Sequence, residues 1–404
     1  MTHFYWRTSL PFDFDAPTAR AGTNSVKFDA RSAVFGADDI IPLWVADTDF
    51  AVPPAVSDAL VRRAQHPIYG YSMAPESLYQ AMIDWFKRRH DFPIERQSIM
   101  LAPGVVPSIH AAVLALTQPE DAIVIQTPVY APFFNIAAST GRRLVENPLR
   151  LRGDRYELDF DHLEHCAREG ARMLILCSPH NPVGRVWHRD ELRRLLSIAA
   201  EHDMLVISDE IHCDLVFEGH THTPLALLAD KPGRVITTLA PSKSFNVPGL
   251  GLSTLVVDDE DQRKALAKVF ASLHIEVGNP FSLTACEAAY AGGEAWLDEM
   301  MRYVEENRRF VAAFIQANLP EISVMPSEGT YLLWLDCRIL CQSRGWTDRE
   351  LKHFFVKEAG IGMNPGITFG KAGSGFMRMN IGTQKAVLLT ALESVQKALL
   401  QADR

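Results

Sequence analysis

The residues of this chain best suited to chemistry are a lysine, an aspartate, an asparagine, a tyrosine and an arginine, each beside or within an apolar run. Lys243 lies in "TLAPSKSFNVPG" (238–249), between two serines, where a hydrophobic run gives way to a turn. A primary amine so placed can form a Schiff base with a carbonyl and, once released, can carry a proton. Asp209 follows "MLVIS", Asn181 follows "MLILC" within "SPHNPVG", and Tyr130 follows "AIVIQ" within "TPVYAPFF". A carboxylate pairs with a protonated ring nitrogen, an amide hydrogen-bonds a ring oxygen, and a phenol lies against a ring face. Arg378 in "GFMRMNIG" sits inside an apolar strand pattern, where an unpaired guanidinium is costly. It calls for a carboxylate, either a ligand's or that of a fixed acidic partner, and the ligand is the preferred reading. Gly104, Val105 and Val106 in "PGVVPSIHAAVLAL" head an apolar helix, whose free N–H groups suit an anion. Taken singly, each residue has a plain structural explanation: a solvated lysine, a helix-capping aspartate, a packed tyrosine, a turn at Pro-Gly or Asn-Pro. Together they ask for one ligand.

The elements that must position them follow a rhythm. Strand-like runs occur at 122–126, 173–177, 204–208, 235–239 and 252–257, and helical patterns lie between several of them. "RDELRRLLSIAAEH" places Leu192, Leu195, Leu196 and Ala199 on one face and charges opposite. A strand-helix-strand unit of roughly 30 residues implies an α/β fold with a mostly parallel central sheet. The candidate residues then cluster beyond the C-terminal ends of strands, where open α/β sheets bind ligands. From 294 to 319 a long amphipathic helix is expected, followed by strands at "TYLLWLD" and "FMRMNI". The expected organisation is an N-terminal arm (1–50) packing on the small domain or a partner subunit, a large ligand-binding domain (51–290) and a smaller α/β C-terminal domain (291–404).

With 404 residues, 47% hydrophobic and 22% charged, the chain can bury a large core. Forty Lys+Arg against 49 Asp+Glu give a net charge of −9, a poor footprint for nucleic acid or an anionic membrane. No apolar run reaches transmembrane length, and the N-terminus does not read as a signal peptide. Six cysteines without a CxxC pair read as reduced thiols rather than a disulfide framework or metal site. A cytoplasmic location and a small-molecule partner are expected. A ligand with an aldehyde, an anionic group and a basic ring nitrogen would use every candidate residue, and pyridoxal 5'-phosphate is such a ligand.

The stretches "GTNSVKFD", "IPLWVADTDF", "YGYS", "PGVVPSI", "TPVYAPFF", "SPHNPVG", "SDEIHCDLVF", "PSKSFNVPGL" and "FMRMNIGT" run through nearly the whole chain. In order and spacing they resemble fold-type I pyridoxal-phosphate enzymes of the class I/II aminotransferase superfamily, and among these the MalY/PatB group of cystathionine β-lyase-like C–S lyases. The resemblance implies that Lys243 forms the Schiff base, Asp209 pairs with the pyridinium, Asn181 binds the ring oxygen and Tyr130 stacks on the ring. Arg378 would hold the substrate carboxylate, with Tyr130 and Asn181 beside the substrate. His212 falls where broader relatives place a tyrosine near the ring oxygen. The resemblance also implies a homodimer with shared active sites, in which Tyr71 reaches the neighbouring subunit's phosphate and "WVADTDF" lines the substrate entrance. Ala240 and Gly251 stand where many aminotransferases have a serine and an arginine facing the phosphate, leaving Ser242 as the nearest hydroxyl. The expected activity is β-elimination on cystathionine or a related cysteine S-conjugate. An aminotransferase is the alternative, and a non-catalytic binding or regulatory protein is disfavoured by the complete catalytic set.

Overall fold

The structure, a computed structural model, describes residues 12–275 and 277–402; the first eleven residues of the N-terminal arm lie outside the described residues. Runs rich in valine, isoleucine and leucine become a seven-stranded sheet: β1 (Ile99–Ala102), β2 (Ala122–Ile125), β3 (Arg143–Glu146), β4 (Ala171–Cys177), β5 (Leu205–Asp209), β6 (Val235–Leu239) and β7 (Ser253–Val256). Their spatial order is β1-β7-β6-β5-β4-β2-β3, with β2 to β6 parallel and β7 antiparallel to both neighbours. Every residue of β2 and β6 is buried, as a parallel sheet covered on both faces requires. Between β4 and β5 runs the helix Arg189–Glu201, which buries Leu192, Leu195, Leu196 and Ala199 and is closed at its start by a His188/Glu191 capping box.

The register of this sheet sets the site. Cys177 lies opposite Asp209, and Asp209 opposite Thr238, so β4, β5 and β6 end in one row. Two placements differ slightly from expectation. Asp209 is the last residue of β5 rather than the first beyond it, because its backbone still pairs with both neighbouring strands. Lys243 sits on a one-turn helix, Pro241–Ser244, rather than a bare turn; the proline fixes its first φ at no hydrogen-bond cost.

A second sheet is formed by β8 (Ser323–Val324), β9 (Leu332–Asp336), β10 (Asn364–Pro365) and β11 (Phe376–Asn380), in the order β8-β9-β11-β10 with antiparallel neighbours. The helices Glu294–Asn318 and Lys385–Ala402 pack against it through Val304, Val311 and Ile315 and through Leu388, Leu392 and Val395. Alternation along β11 sends Met377 and Met379 into that core and leaves Arg378 and Asn380 on the opposite face. The arm joins the same region: Ile41–Pro42 pairs in parallel with Ile361–Gly362, and the Phe14 ring meets Phe50 and Trp296 edge-on, 5.1 and 5.7 Å away. All six cysteines are unpaired thiols, and among the described residues no helix is long and apolar enough to cross a membrane.

Candidate active site

At the row where β4, β5 and β6 end, a cavity of about 240 Å³ is lined by Gly104, Val105, Val106, Tyr130, Asn181, Asp209, His212, Ser242 and Lys243. Nine residues singled out from sequence thus share one wall. Arg378 stands just behind it, donating from Nη1 to Asn181 Oδ1 at 3.0 Å. Tyr71 is not brought there. It is fully exposed on a separate surface groove with Tyr69, Ser72 and Phe281.

Burial controls the chemistry of the two central groups. Lys243 donates from Nζ to the Ala46 carbonyl at 2.6 Å. Burial lowers its pKa to about 8, with Arg378 acting in the same direction and Asp47 and Asp209 opposing. An amine of this kind is partly neutral near neutral pH and can act as nucleophile or base. Burial pushes Asp209 up to about 7, and its one backbone bond from Ile211 N–H (3.2 Å) and the nearby Lys243 do not reverse this. A cationic ring nitrogen beside it would restore the anion. His212 is held neutral, its pKa lowered by burial and then by Lys243 and Arg378 to about 3, and its buried Nδ1 has no partner among the described residues.

Arg378 is buried, and among the described residues it bonds only neutral groups: Asn181, the Trp44 carbonyl (2.8 Å) and Asn364 Oδ1 (2.8 Å), with the Phe369 ring 4.9 Å away. Its Nε has no partner among the described residues, and burial pulls its pKa down to about 10. Of the two sources of a carboxylate considered from sequence, no fixed acidic partner is found among the described residues, which leaves a ligand. The Tyr130 ring touches Phe133 edge-on at 6.1 Å, and burial raises the pKa of its phenol, with Arg378 opposing and Asp209 adding to the rise.

The residues expected to cradle an anion form the start of the helix Val105–Leu116. Gly104 is its N-cap and has no side chain to satisfy the first-turn N–H groups of Val105 and Val106. Its φ of 166° is extended backbone that any residue adopts, and a Cβ would meet only Pro107, at 3.5 Å. Neither backbone nor neighbours demand glycine, so what the missing Cβ preserves is the cavity. Ala240 and Gly251 also line the cavity, which keeps the serine and arginine expected of many aminotransferases out of its wall. An aldehyde-bearing, phosphorylated pyridine fits these donors: an amine for the aldehyde, an acid for the ring nitrogen, helix N–H groups and Ser242 for the phosphate.

The segment 44–50 is held by residues whose role no sequence motif marked. The fully buried Lys27 pairs with Asp49 (3.0 Å), and Arg20 pairs with Asp47 and Asp49, both at 2.7 Å. Asn246, Tyr331 and Asn380 bond its backbone. The available signal was the period-two spacing of Arg378 and Asn380, which puts both on one strand face.

Residues 38–395 match the family of class I and II aminotransferases. The chain is 40% identical over 392 residues to cystathionine beta-lyase PatB of Bacillus subtilis (strain 168), covering 96% of this chain and 100% of that protein. It is 31% identical over 380 residues to protein MalY of Escherichia coli (strain K12), covering 93% and 96%. The solved structure of cystalysin from Treponema denticola, which contains a pyridoxal 5'-phosphate cofactor, aligns with a TM-score of 0.92 at 33% identity over 97% of this chain and 99% of that one. With a family match over residues 38–395 and relatives above 30% identity along almost the entire sequence, the chain belongs to the class I and II aminotransferases and, within them, to the MalY/PatB group of cystathionine β-lyase-like proteins.

Proposed function

We propose that the protein is a pyridoxal-phosphate-dependent C–S β-lyase acting on cystathionine or a related cysteine S-conjugate. The cofactor part rests on the convergence of the Lys243 amine, the Asp209 carboxyl and the Gly104 helix start on one cavity, with an acid-free buried arginine behind it; what favours elimination over amino-group transfer is the 40% identity to a cystathionine beta-lyase along 96% of the chain. When bound, the cofactor supplies an electron sink that makes the substrate's α-C–H acidic and lets a β-thiolate leave. Lys243 is the attachment point and, once freed, the base that takes the α-proton. Asp209 keeps the ring nitrogen protonated. Asn181, whose Oδ1 is already occupied by Arg378, offers its N–H groups to the ring oxygen. Tyr130 would cover a ring face, His212 would face the ring oxygen as a neutral imidazole, and Val105, Val106 and Ser242 would hold the phosphate. Arg378 grips the substrate carboxylate. The net reaction consumes water and converts the S-conjugate to a thiol, pyruvate and ammonium.

The proposed enzyme is a homodimer with shared sites in a cytoplasmic setting, its chain divided near residue 290 into a large and a small domain. What supports the dimer is the segment around Tyr71, where Ile68, Tyr69, Tyr71 and Met73 are all exposed outside this chain's own cavity. Borohydride reduction followed by peptide mapping tests the cofactor site: the cofactor is expected on Lys243, and its recovery on another lysine would overturn the assignment.

A further inference from the structure

Every backbone carbonyl from Trp44 to Thr48 accepts a hydrogen bond from a side chain of another segment. Trp44 O accepts from Arg378 Nη2 (2.8 Å), and Ala46 O from Lys243 Nζ (2.6 Å) and the Tyr331 hydroxyl (3.1 Å). Val45 O and Asp47 O both accept from Asn380 Nδ2, at 2.6 and 2.7 Å. Thr48 O accepts from Asn246 Nδ2 at 3.0 Å. The strap therefore carries the amine and the guanidinium on carbonyls two residues apart, and Asn380 grips the two carbonyls flanking the one that holds the amine. Asn380 is buried, its Oδ1 accepts from Gly382 N–H at 2.7 Å, and it shares a β11 face with Arg378. The strap has little freedom elsewhere. Asn246 also accepts from Thr48 N–H and donates to Phe50 O, and Asp49 N–H bonds Gly382 O at 2.8 Å.

We propose that Asn380 is a positioning residue of the reaction: through the strap's carbonyls it sets the Lys243 amine relative to the Arg378 guanidinium, and so the α-proton base relative to the substrate carboxylate. The roles of those two partners rest on the function proposed above; the placement of Asn380 does not. Misplacing a reacting group by about 1 Å costs on the order of 100-fold in rate. Arg378 keeps Asn181 and Asn364 when the strap moves, whereas the amine loses the alignment of its one hydrogen-bond acceptor. The effect should therefore fall on kcat more than on KM.

The test is Asn380→Ala in the full-length chain, with two readouts. In protein freed of cofactor by hydroxylamine, acylation of Lys243 is followed against pH by peptide mass spectrometry. The charged groups facing this amine are Asp209 from β5, Asp47 from the strap and Arg378 from β11; the variant removes none of them, and of the three only Asp47 rides on the strap that it loosens. An aligned carbonyl favours the ammonium form, so the midpoint of acylation should lie lower in the variant than in the wild type. In the loaded enzyme kcat should fall roughly 10- to 100-fold, with KM changed by less than about 3-fold. Should Asn380→Ala fail to fold, Asn246→Gly keeps the left-handed backbone (φ 57°) while removing three bonds to the same strap, and the same downward shift is expected. An unchanged midpoint and kcat with only a lower melting temperature would overturn the proposal. A shifted midpoint in a protein whose wild type lacks lyase activity would instead overturn the function and leave the positioning role standing.

Discussion

Burial drives Asp209 and Lys243 toward their neutral forms from opposite directions, and this gives each a separable signature. An aspartate with an ordinary pKa of 3.8 that rises to about 7 on folding favours the folded state at low pH, and loses that contribution as pH rises through 7. Cofactor-free wild type should therefore lose melting temperature relative to Asp209→Asn between pH 4 and 7; parallel curves would show that the carboxyl is not desolvated. The same variant, loaded with cofactor, should lose several orders of magnitude in turnover, because the ring nitrogen no longer has an anionic partner. Arg378 makes a second residue-level case. A lysine offers a point charge in place of a planar fork, so Arg378→Lys should raise KM roughly 10-fold or more while sparing the cofactor spectrum. It should also narrow the preference for the amino acid over the matching amine without a carboxylate. Equal preference in both proteins would make Arg378 a purely structural arginine.

At the scale of elements, the proposed phosphate site at the Gly104 helix start makes no demand of its own on the fold, since a Cβ there meets nothing but Pro107. Gly104→Ala should leave the melting temperature of the cofactor-free protein nearly unchanged and weaken cofactor affinity by about 10-fold or more, measured by equilibrium dialysis; unchanged affinity would move the phosphate elsewhere. This rim was legible in the sequence because apolar parallel strands end abruptly, and Asn181, Asp209 and Lys243 mark those ends at short spacing. The strap was not legible in the same way. Asn380 and Tyr331 act on backbone carbonyls about 300 residues away, and no side-chain pattern announces a carbonyl acceptor. The arm was opaque for a related reason: Arg20 and Lys27 serve ion pairs with Asp47 and Asp49, which need no periodicity.

The whole molecule, on this account, completes its site with a second copy. Tyr71 lies away from the cavity of its own chain, and a shared site requires it to act on the partner's. Tyr71→Ala and Lys243→Ala should each be nearly inactive, and mixing them under subunit exchange should restore up to about a quarter of wild-type activity, since one statistical site in four is intact in the mixture. No restoration despite exchange would confine Tyr71 to its own subunit. The central claim, elimination rather than amino-group transfer, is tested most directly by the product balance from L-cystathionine with no keto acid added. The account predicts equal amounts of thiol, pyruvate and ammonium over many turnovers; turnover that stops after one equivalent per site and resumes only when a keto acid is supplied, with no pyruvate released, would contradict it.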